Sequence, residues 1–263
     1  MKLVNMYFSA TGSTQTIARE IAKGTGLKEA TEIDLTLPQD RQKGIFVSKN
    51  DLFLLSMPVY VGMIPFMHNL EEYLKKLTTD GVKTIICVNY GTRHYGDAIK
   101  QIDEILTPQG FKTIAVAAFV SMHSFAFPGY KIYTQRPNED DKRMARTFGQ
   151  SVMAKIIKGD DSKPFIPGVY PPRGSAIKSV KYFGYPYPDL VDEDKCISCG
   201  ECARLCPTSA IDETFHVVED KCSLCMRCVR ICPTGARDVG DSLKEKYSEN
   251  FYLYNDKLPT LIL

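Results

Sequence analysis

The 263-residue chain has almost no excess charge of either sign: 33 lysines and arginines face 31 aspartates and glutamates, a formal net charge of +2. A protein that neutralises a phosphate backbone needs a basic excess, so this balance argues against a nucleic-acid partner. No apolar run is long enough to cross a bilayer. Met1-Lys2 leads directly into a strand-like run with no charged-then-apolar leader, so the expectation is a cytoplasmic protein without a membrane span. Familiar catalytic patterns are missing too. The sequence has no Ser/His/Asp or Cys/His arrangement, no paired-carboxylate motif, no Walker lysine loop and no Gly-x-Gly-x-x-Gly fingerprint. The last absence weakens a direct nicotinamide-dependent reductase.

Cysteine is present and concentrated. Eight of the nine cysteines fall in two runs, Cys196-x-x-Cys199-x-x-Cys202-x-x-x-Cys206-Pro207 and Cys222-x-x-Cys225-x-x-Cys228-x-x-x-Cys232-Pro233, the second repeating the first 26 residues later. Zinc sites pair two Cys-x-x-Cys knuckles across a longer spacer, and a disulfide framework needs an oxidising compartment; neither fits this pattern. It is the spacing of a bacterial-type ferredoxin with two [4Fe–4S] clusters, in which the fourth cysteine of each run serves the other cluster. That resemblance covers roughly Pro188 to Asp238. It assigns Cys196, Cys199, Cys202 and Cys232 to one cluster, and Cys222, Cys225, Cys228 and Cys206 to the other. The ninth, Cys87, lies in the apolar run Thr84-Ile-Ile-Cys-Val and reads as a buried small hydrophobe.

At the other end of the chain, Leu3 to Phe8 reads as a buried strand and Thr16 to Ala22 carries helical spacing. The loop between them, Ser9-Ala-Thr-Gly-Ser-Thr14, is rich in hydroxyls. Free N–H groups and partial positive charge at a helix N-terminus, with hydroxyl donors and a glycine for close approach, suit a phosphate monoester such as that of FMN. A helix-capping turn would use the same residue types. Further strands are expected at Ala30 to Leu35, Asp51 to Ser56, Lys83 to Asn89 and Lys112 to Val120. The intervening helices carry Met67, Leu70, Tyr73, Leu74 and Leu77 on one face, run from the Asp97 region through Leu106, and span Asn138 to Lys158. This alternation gives an α/β fold, a doubly wound five-stranded parallel sheet whose ligands sit past the carboxyl ends of the strands.

Ser9-x-Thr11-Gly12-x-Thr14 after the first strand resembles the phosphate loop of flavodoxins. The resemblance implies FMN held by three loops: Ser9, Thr11, Gly12, Ser13 and Thr14; Pro58, Val59, Tyr60, Val61 and Gly62; and Asn89, Tyr90, Gly91, Tyr95, Gly96 and Asp97. Tyr60, Tyr90 and Tyr95 are the candidates to stack on the ring. Main-chain N–H groups of Val61, Gly62 and Gly91 are candidates for its edge. His123 and Arg93 are further candidates near the ligand end of the sheet.

Together the two ends resemble the flavodoxin–ferredoxin fusion proteins of anaerobic bacteria and archaea, to which Tyr90-Gly-Thr-Arg93-x-Tyr95-x-Asp97-Ala98 and Arg136-Pro-Asn138-x-Asp140 are also similar. The expected organisation is a flavodoxin-like FMN-binding domain over 1–158, a Pro-rich packed connector over 159–187, a small α+β two-[4Fe–4S] ferredoxin domain over 188–238, and a C-terminal docking tail over 239–263. Ile166, Val169, Ile177, Val180 and Phe183 should pack the connector against the first domain. The tail, with Phe251, Tyr252, Leu253, Tyr254, Leu258, Leu261, Ile262 and Leu263, is too apolar to hang free. The expected function is electron transfer between FMN, two [4Fe–4S] clusters and a redox protein partner, either a ferredoxin-dependent enzyme or a reductase. The alternative is an FMN-dependent oxidoreductase that reduces a small molecule with cluster-delivered electrons. A homodimer is left open.

Overall fold

The computed structural model describes residues 1–91, 93–127, 135–176, 187–241, 244–246 and 260–263. Five parallel strands form its centre: β1 (Leu3–Tyr7), β2 (Ala30–Asp34), β3 (Leu52–Pro58), β4 (Lys83–Tyr90) and β5 (Lys112–Val120). A sixth, β6 (Leu261–Ile262), completes the sheet in the order β6-β5-β4-β3-β1-β2. β3 shows why the strands are buried on both sides. Its odd positions Phe53, Leu55 and Met57 pack into one apolar cluster, and Leu52 and Leu54 pack into another on the opposite face. Successive side chains alternate faces, so a run apolar at every position serves two cores.

The helices cover those faces. α1 (Ser13–Thr25) and α4 (Glu139–Ile157) lie on one side, where Ile17, Ile21, Ala145, Phe148 and Val152 meet Leu3, Leu52 and Leu54. α2 (Leu70–Leu74) and α3 (Ala98–Leu106) lie on the other, with Leu70, Tyr73, Leu74, Ile99, Ile102 and Leu106 against Phe53 and Leu55. α4 begins with a full capping box: the Asp141 N–H donates to Asn138 Oδ1 at 3.0 Å, and the Asn138 N–H donates to Asp141 Oδ2 at 2.7 Å.

Two elements depart from expectation. The helix expected around Met67 to Leu77 is broken: a 3-10 turn at Phe66–His68 precedes α2, and between them Asn69 adopts φ 52°. A left-handed residue cannot continue the right-handed ladder. The sheet has six strands because the tail returns to it. Leu261 and Ile262 pair antiparallel with Ala118 and Ala117, and Leu263 and Val116 exchange two backbone bonds at 2.9 Å. This covers an edge of β5 that would otherwise present unpaired N–H and C=O groups. Phe251, Tyr252, Leu253, Tyr254 and Leu258 lie outside the described residues.

The connector runs along the sheet's ligand end. Ile166 packs against the main core. Asp97, 2% exposed, accepts from the Val169 N–H (3.1 Å), the Arg173 N–H (3.0 Å) and the Arg173 guanidinium (2.7 and 3.1 Å). Burial alone would push that carboxyl up; the N–H groups of Arg173 and Val169 and the guanidinium outweigh it and hold it below its ordinary value. Ile177, Val180 and Phe183 lie outside the described residues.

The C-terminal region is built on two copies of one unit. α5 (Glu201–Arg204) and α6 (Arg227–Ile231) start 26 residues apart. Leu190–Val191 pairs antiparallel with Arg237–Asp238, joining the beginning of the region to its end. Among the described residues no helix is long and apolar enough to cross a membrane.

Candidate functional site

Loops at the carboxyl ends of β1, β3, β4 and β5 enclose a cavity of about 440 Å³. At one end are Ser9, Thr11, Ser13 and Thr14. Gly12 precedes α1 at φ 91° and supplies no side-chain cap, so the first turn meets the cavity with its own N–H groups and neighbouring hydroxyls. Ser9 Oγ also accepts from the Gln15 N–H at 3.1 Å, so one hydroxyl of the loop does cap the helix.

The walls are less polar. Tyr60 and Met63 exchange backbone hydrogen bonds at 2.8 and 3.1 Å across a tight turn. Its central residues Val61 and Gly62 have φ 55° and 79°, the signature of a type I′ turn. A β-branched residue is strained there, a cost the turn's two backbone bonds offset. This turn meets the loop after β4, because the Asp97 N–H donates to the Gly62 carbonyl at 2.6 Å. A Cβ on Gly96 would lie 2.3 Å from Gly62 Cα, so no larger residue fits at this crossing. Gly91 is equally confined, with its Cβ position 2.3 Å from His123 Cδ2. His123 lines the cavity in the loop after β5; burial, then Arg230 and Arg93, push its pKa down to about 4.

The cysteine region carries its repeat into the backbone. Ser198 and Leu224 both have φ 53°; Gly200 and Met226 have φ 71° and 58°; Ser209 and Gly235 have φ 50° and 66°. Each pair is one repeat apart. Left-handed residues at matched positions bend both runs in the same way around their cysteines. The hydroxyls repeat as well: Thr208 lies 3.7 Å from Cys206 Sγ, and Thr234 lies 3.8 Å from Cys232 Sγ.

The thiols sort into two sets. Cys196, Cys199, Cys202 and Cys232 line one cavity, and Cys199 is exposed. Cys222, Cys225 and Cys228 are buried. Burial pushes the Cys228 thiol up, with Cys225, Cys222 and Cys206 as close neighbours that add to the effect. These groupings bring the fourth cysteine of each run to the first three of the other. Among the described residues no three His, Cys, Asp or Glu side chains converge on a point where a single metal ion would sit.

A family model for flavodoxin matches residues 6–149, more than half of the chain. The chain belongs to the flavodoxin family. A second model, for a 4Fe-4S binding domain, matches twice, at residues 190–212 and 215–238. Similar solved structures include a flavodoxin from the domain Archaea (16% identity, TM-score 0.42, 60% of this chain and 99% of that one). A Bacillus cereus flavodoxin 1 matches at 16% identity and TM-score 0.39 over 60% of this chain and 98% of its own. A Fusobacterium nucleatum flavodoxin bound to flavin mononucleotide matches at 15% identity and TM-score 0.40 over 59% of this chain and 98% of its own. No curated protein matches. The chain is thus an electron-transfer protein of the flavin and iron–sulfur type, with FMN and [4Fe–4S] clusters as its cofactors.

The residues present fit those groups. Hydroxyls at a helix N-terminus for a phosphate and tyrosine-lined walls for a ring are joined in one cavity, and each cysteine set offers four thiols of the type a [4Fe–4S] cluster takes. Of the flavodoxin-loop residues singled out by sequence, Ser9, Thr11, Ser13, Thr14, Pro58, Val59, Tyr60, Val61, Gly62, Asn89, Tyr90, Gly91 and Gly96 border the cavity. Three do not. Gly12 shapes the turn from behind; Tyr95 packs its ring on Tyr90 and His94, with centroids 5.9 and 4.2 Å away; and the Asp97 carboxylate is consumed by the connector. Asp97, expected at the ligand from the flavodoxin resemblance, instead has both carboxylate oxygens engaged by Val169 and Arg173 of the connector.

Of the cavity's remaining wall, sequence reading singled out only His123. Ser223 and Leu224, between Cys222 and Cys225, border it together with Phe66 and the 121–125 loop. Tyr60 turns toward the same thiols: its hydroxyl is pushed well up, first by burial and then by Cys225 and Cys222. Beneath them Phe125, Phe127, Ala210, Cys222, Leu224 and Met226 form an apolar cluster with Phe66 packed against it. Arg41 spans the same junction, donating to the Pro207 carbonyl at 2.7 Å.

Proposed function

We propose that the chain is an intramolecular electron relay with three stations in a fixed order: the FMN cavity, the buried Cys206/Cys222/Cys225/Cys228 site, and the exposed Cys196/Cys199/Cys202/Cys232 site, from which electrons pass to or from a redox protein partner. When bound, FMN links two-electron to one-electron transfer, and each [4Fe–4S] cluster moves one electron at low potential. The protein's part is to hold hydroxyls and N–H groups for the phosphate, to sandwich the ring position between the Tyr60 and Tyr90 loops, and to bury the middle station away from water. The observation that carries the order is the shared wall: Ser223 and Leu224 lie within the ligand run of one cluster set and border the flavin cavity. The other set opens outward at Cys199.

The test uses two cysteine variants of the full, reconstituted chain. Cys199→Ser should leave electron exchange between flavin and the buried cluster intact and slow delivery to an external one-electron acceptor protein. Cys225→Ser should uncouple the flavin from both clusters. The reverse pattern would overturn the order. One observation supports a second reading, reduction of a small molecule at the flavin: Arg93 and His123 border the cavity and could face such a substrate. Flavin turnover with a low-molecular-weight acceptor that survives Cys199→Ser and is lost in Arg93→Gln would favour it.

A further inference from the structure

The helix that carries Cys228 also holds the flavin loops in place. Arg227, the first residue of α6, donates from Nη1 to the Ala10 carbonyl at 2.8 Å and to the Ser9 carbonyl at 3.4 Å. Both carbonyls belong to the hydroxyl-rich loop. One turn on, Arg230 donates from Nη2 to three carbonyls of the loop after β5: His123 at 3.2 Å, Ser124 at 3.1 Å and Ala126 at 2.8 Å. Its Nη1 lies 3.6 Å from Met122 Sδ. Two arginines spaced i and i+3 share a helix face, so a single short helix reaches both ends of the cavity. A five-residue helix has little stability of its own. Its position depends on what fixes its ends: Cys225 lies two residues before it, Cys228 within it and Cys232 immediately after it.

We propose that Arg227 and Arg230 make FMN affinity conditional on an assembled buried cluster site. The inference rests on the relay described above and adds a thermodynamic consequence to it. With the thiols of Cys225 and Cys228 tied to a common centre, α6 is held, and its guanidinium groups lock five loop carbonyls in the arrangement the cavity requires. With the thiols released, the helix and its clamps loosen, and the Ser9–Thr14 and Ser121–Phe125 walls lose their support. Arg227 and Arg230 are positioning residues here: they touch loop carbonyls, not the ring. Because the coupling is a free energy between two sites, FMN must stabilise the cluster site by the same factor by which the cluster tightens FMN. The benefit to an electron relay is that a chain lacking its second station does not hold a flavin that could react with a stray oxidant.

The experiment measures the FMN dissociation constant by flavin fluorescence on the full chain in four forms: iron-loaded wild type, wild type stripped of iron by chelator, and iron-loaded Arg227→Gln and Arg230→Gln. Iron per chain and the thermal midpoint are measured on each. The expected result is a loss of at least tenfold in FMN affinity on stripping, and a similar loss in each variant at unchanged iron content. Arg230→Lys, which keeps the charge and loses the fork, should recover only part of it. Iron release to chelator should slow in wild type on adding FMN, and not in the variants. Equal FMN affinity in loaded and stripped wild type would overturn the proposal, and so would iron-replete variants that bind FMN as wild type does. If a variant does not take up iron, the loaded-against-stripped comparison decides alone. Failure of loaded wild type to bind FMN at all would instead contradict the relay itself.

Discussion

Substituting Gly91 with alanine tests the flavin cavity at one of its tightest points. The added Cβ would sit 2.3 Å from His123 Cδ2, 3.0 Å from Cγ and 3.1 Å from Cβ. Rotating the ring away relieves only the first contact; the other two involve the root of the side chain, so the loop after β5 has to shift. Overpacking of this kind costs about 1–3 kcal/mol. The loop is a cavity wall held by the Arg230 clamps, so much of that cost should appear as lost FMN affinity, on the order of 5- to 100-fold. Gly91 is not in the left-handed region, so alanine adds no backbone penalty and the effect isolates the clash. The double variant Gly91→Ala/His123→Ala removes the two closest colliding atoms, Cδ2 and Cγ, leaving only the 3.1 Å contact with Cβ, and should recover much of the affinity lost by Gly91→Ala, after allowance for the effect of His123→Ala alone. Flavin fluorescence titration of the four proteins gives the coupling energy directly. Gly91→Ala binding FMN as wild type does, or additive effects in the double variant, would refute the reasoning.

Three further outcomes follow from the same contacts. Asp97→Asn should free the connector from the sheet end: limited proteolysis at residues 165–175 should accelerate about tenfold or more, since bonds to a buried carboxylate contribute about 1.5–3 kcal/mol each. The pH dependence has a definite sign. The folded carboxyl lies below its ordinary value, so its contribution is present above the unfolded pKa of 3.8 and is lost as pH falls through the folded value; wild type should lose this protection in acid, and Asp97→Asn should show no such loss. Removing residues 260–263 deletes the two Leu263–Val116 backbone bonds together with the β6–β5 ladder and should cost about 2 kcal/mol or more in urea unfolding, with increased self-association on gel filtration as the edge is bared.

The parallel core was legible because β3 from Leu52 to Leu55 and β4 from Ile85 to Val88 are continuously apolar, as a strand covered on two faces requires. The 4Fe-4S binding motifs were legible because Cys-x-x-Cys-x-x-Cys-x-x-x-Cys-Pro, twice over, encodes its chemistry in spacing alone. The broken second helix was not, because nothing in the apolar pattern from Met67 to Leu77 shows that Asn69 takes positive φ. Nor was the shared wall on which the proposed order of the relay rests. Ser223 and Leu224 are ordinary residues in a cysteine run, and only the packing of Phe125, Phe127 and Leu224 brings that run to the flavin cavity. Arg227 and Arg230 gave no signal either: basic residues beside cysteines read as solvated surface until their carbonyl partners, more than one hundred residues away in sequence, are in view.

The most direct test of the account is an anaerobic titration of the purified full chain with a low-potential reductant, after quantifying flavin, iron and sulfide. The account predicts about one FMN, eight iron and eight sulfide per chain, all reducible. At the stage of the titration where the flavin carries one electron, its magnetic interaction with the reduced cluster at Cys206/Cys222/Cys225/Cys228 should survive Cys199→Ser. A full complement of iron with no flavin, or a flavin whose interaction vanishes with Cys199→Ser and persists with Cys225→Ser, would contradict it.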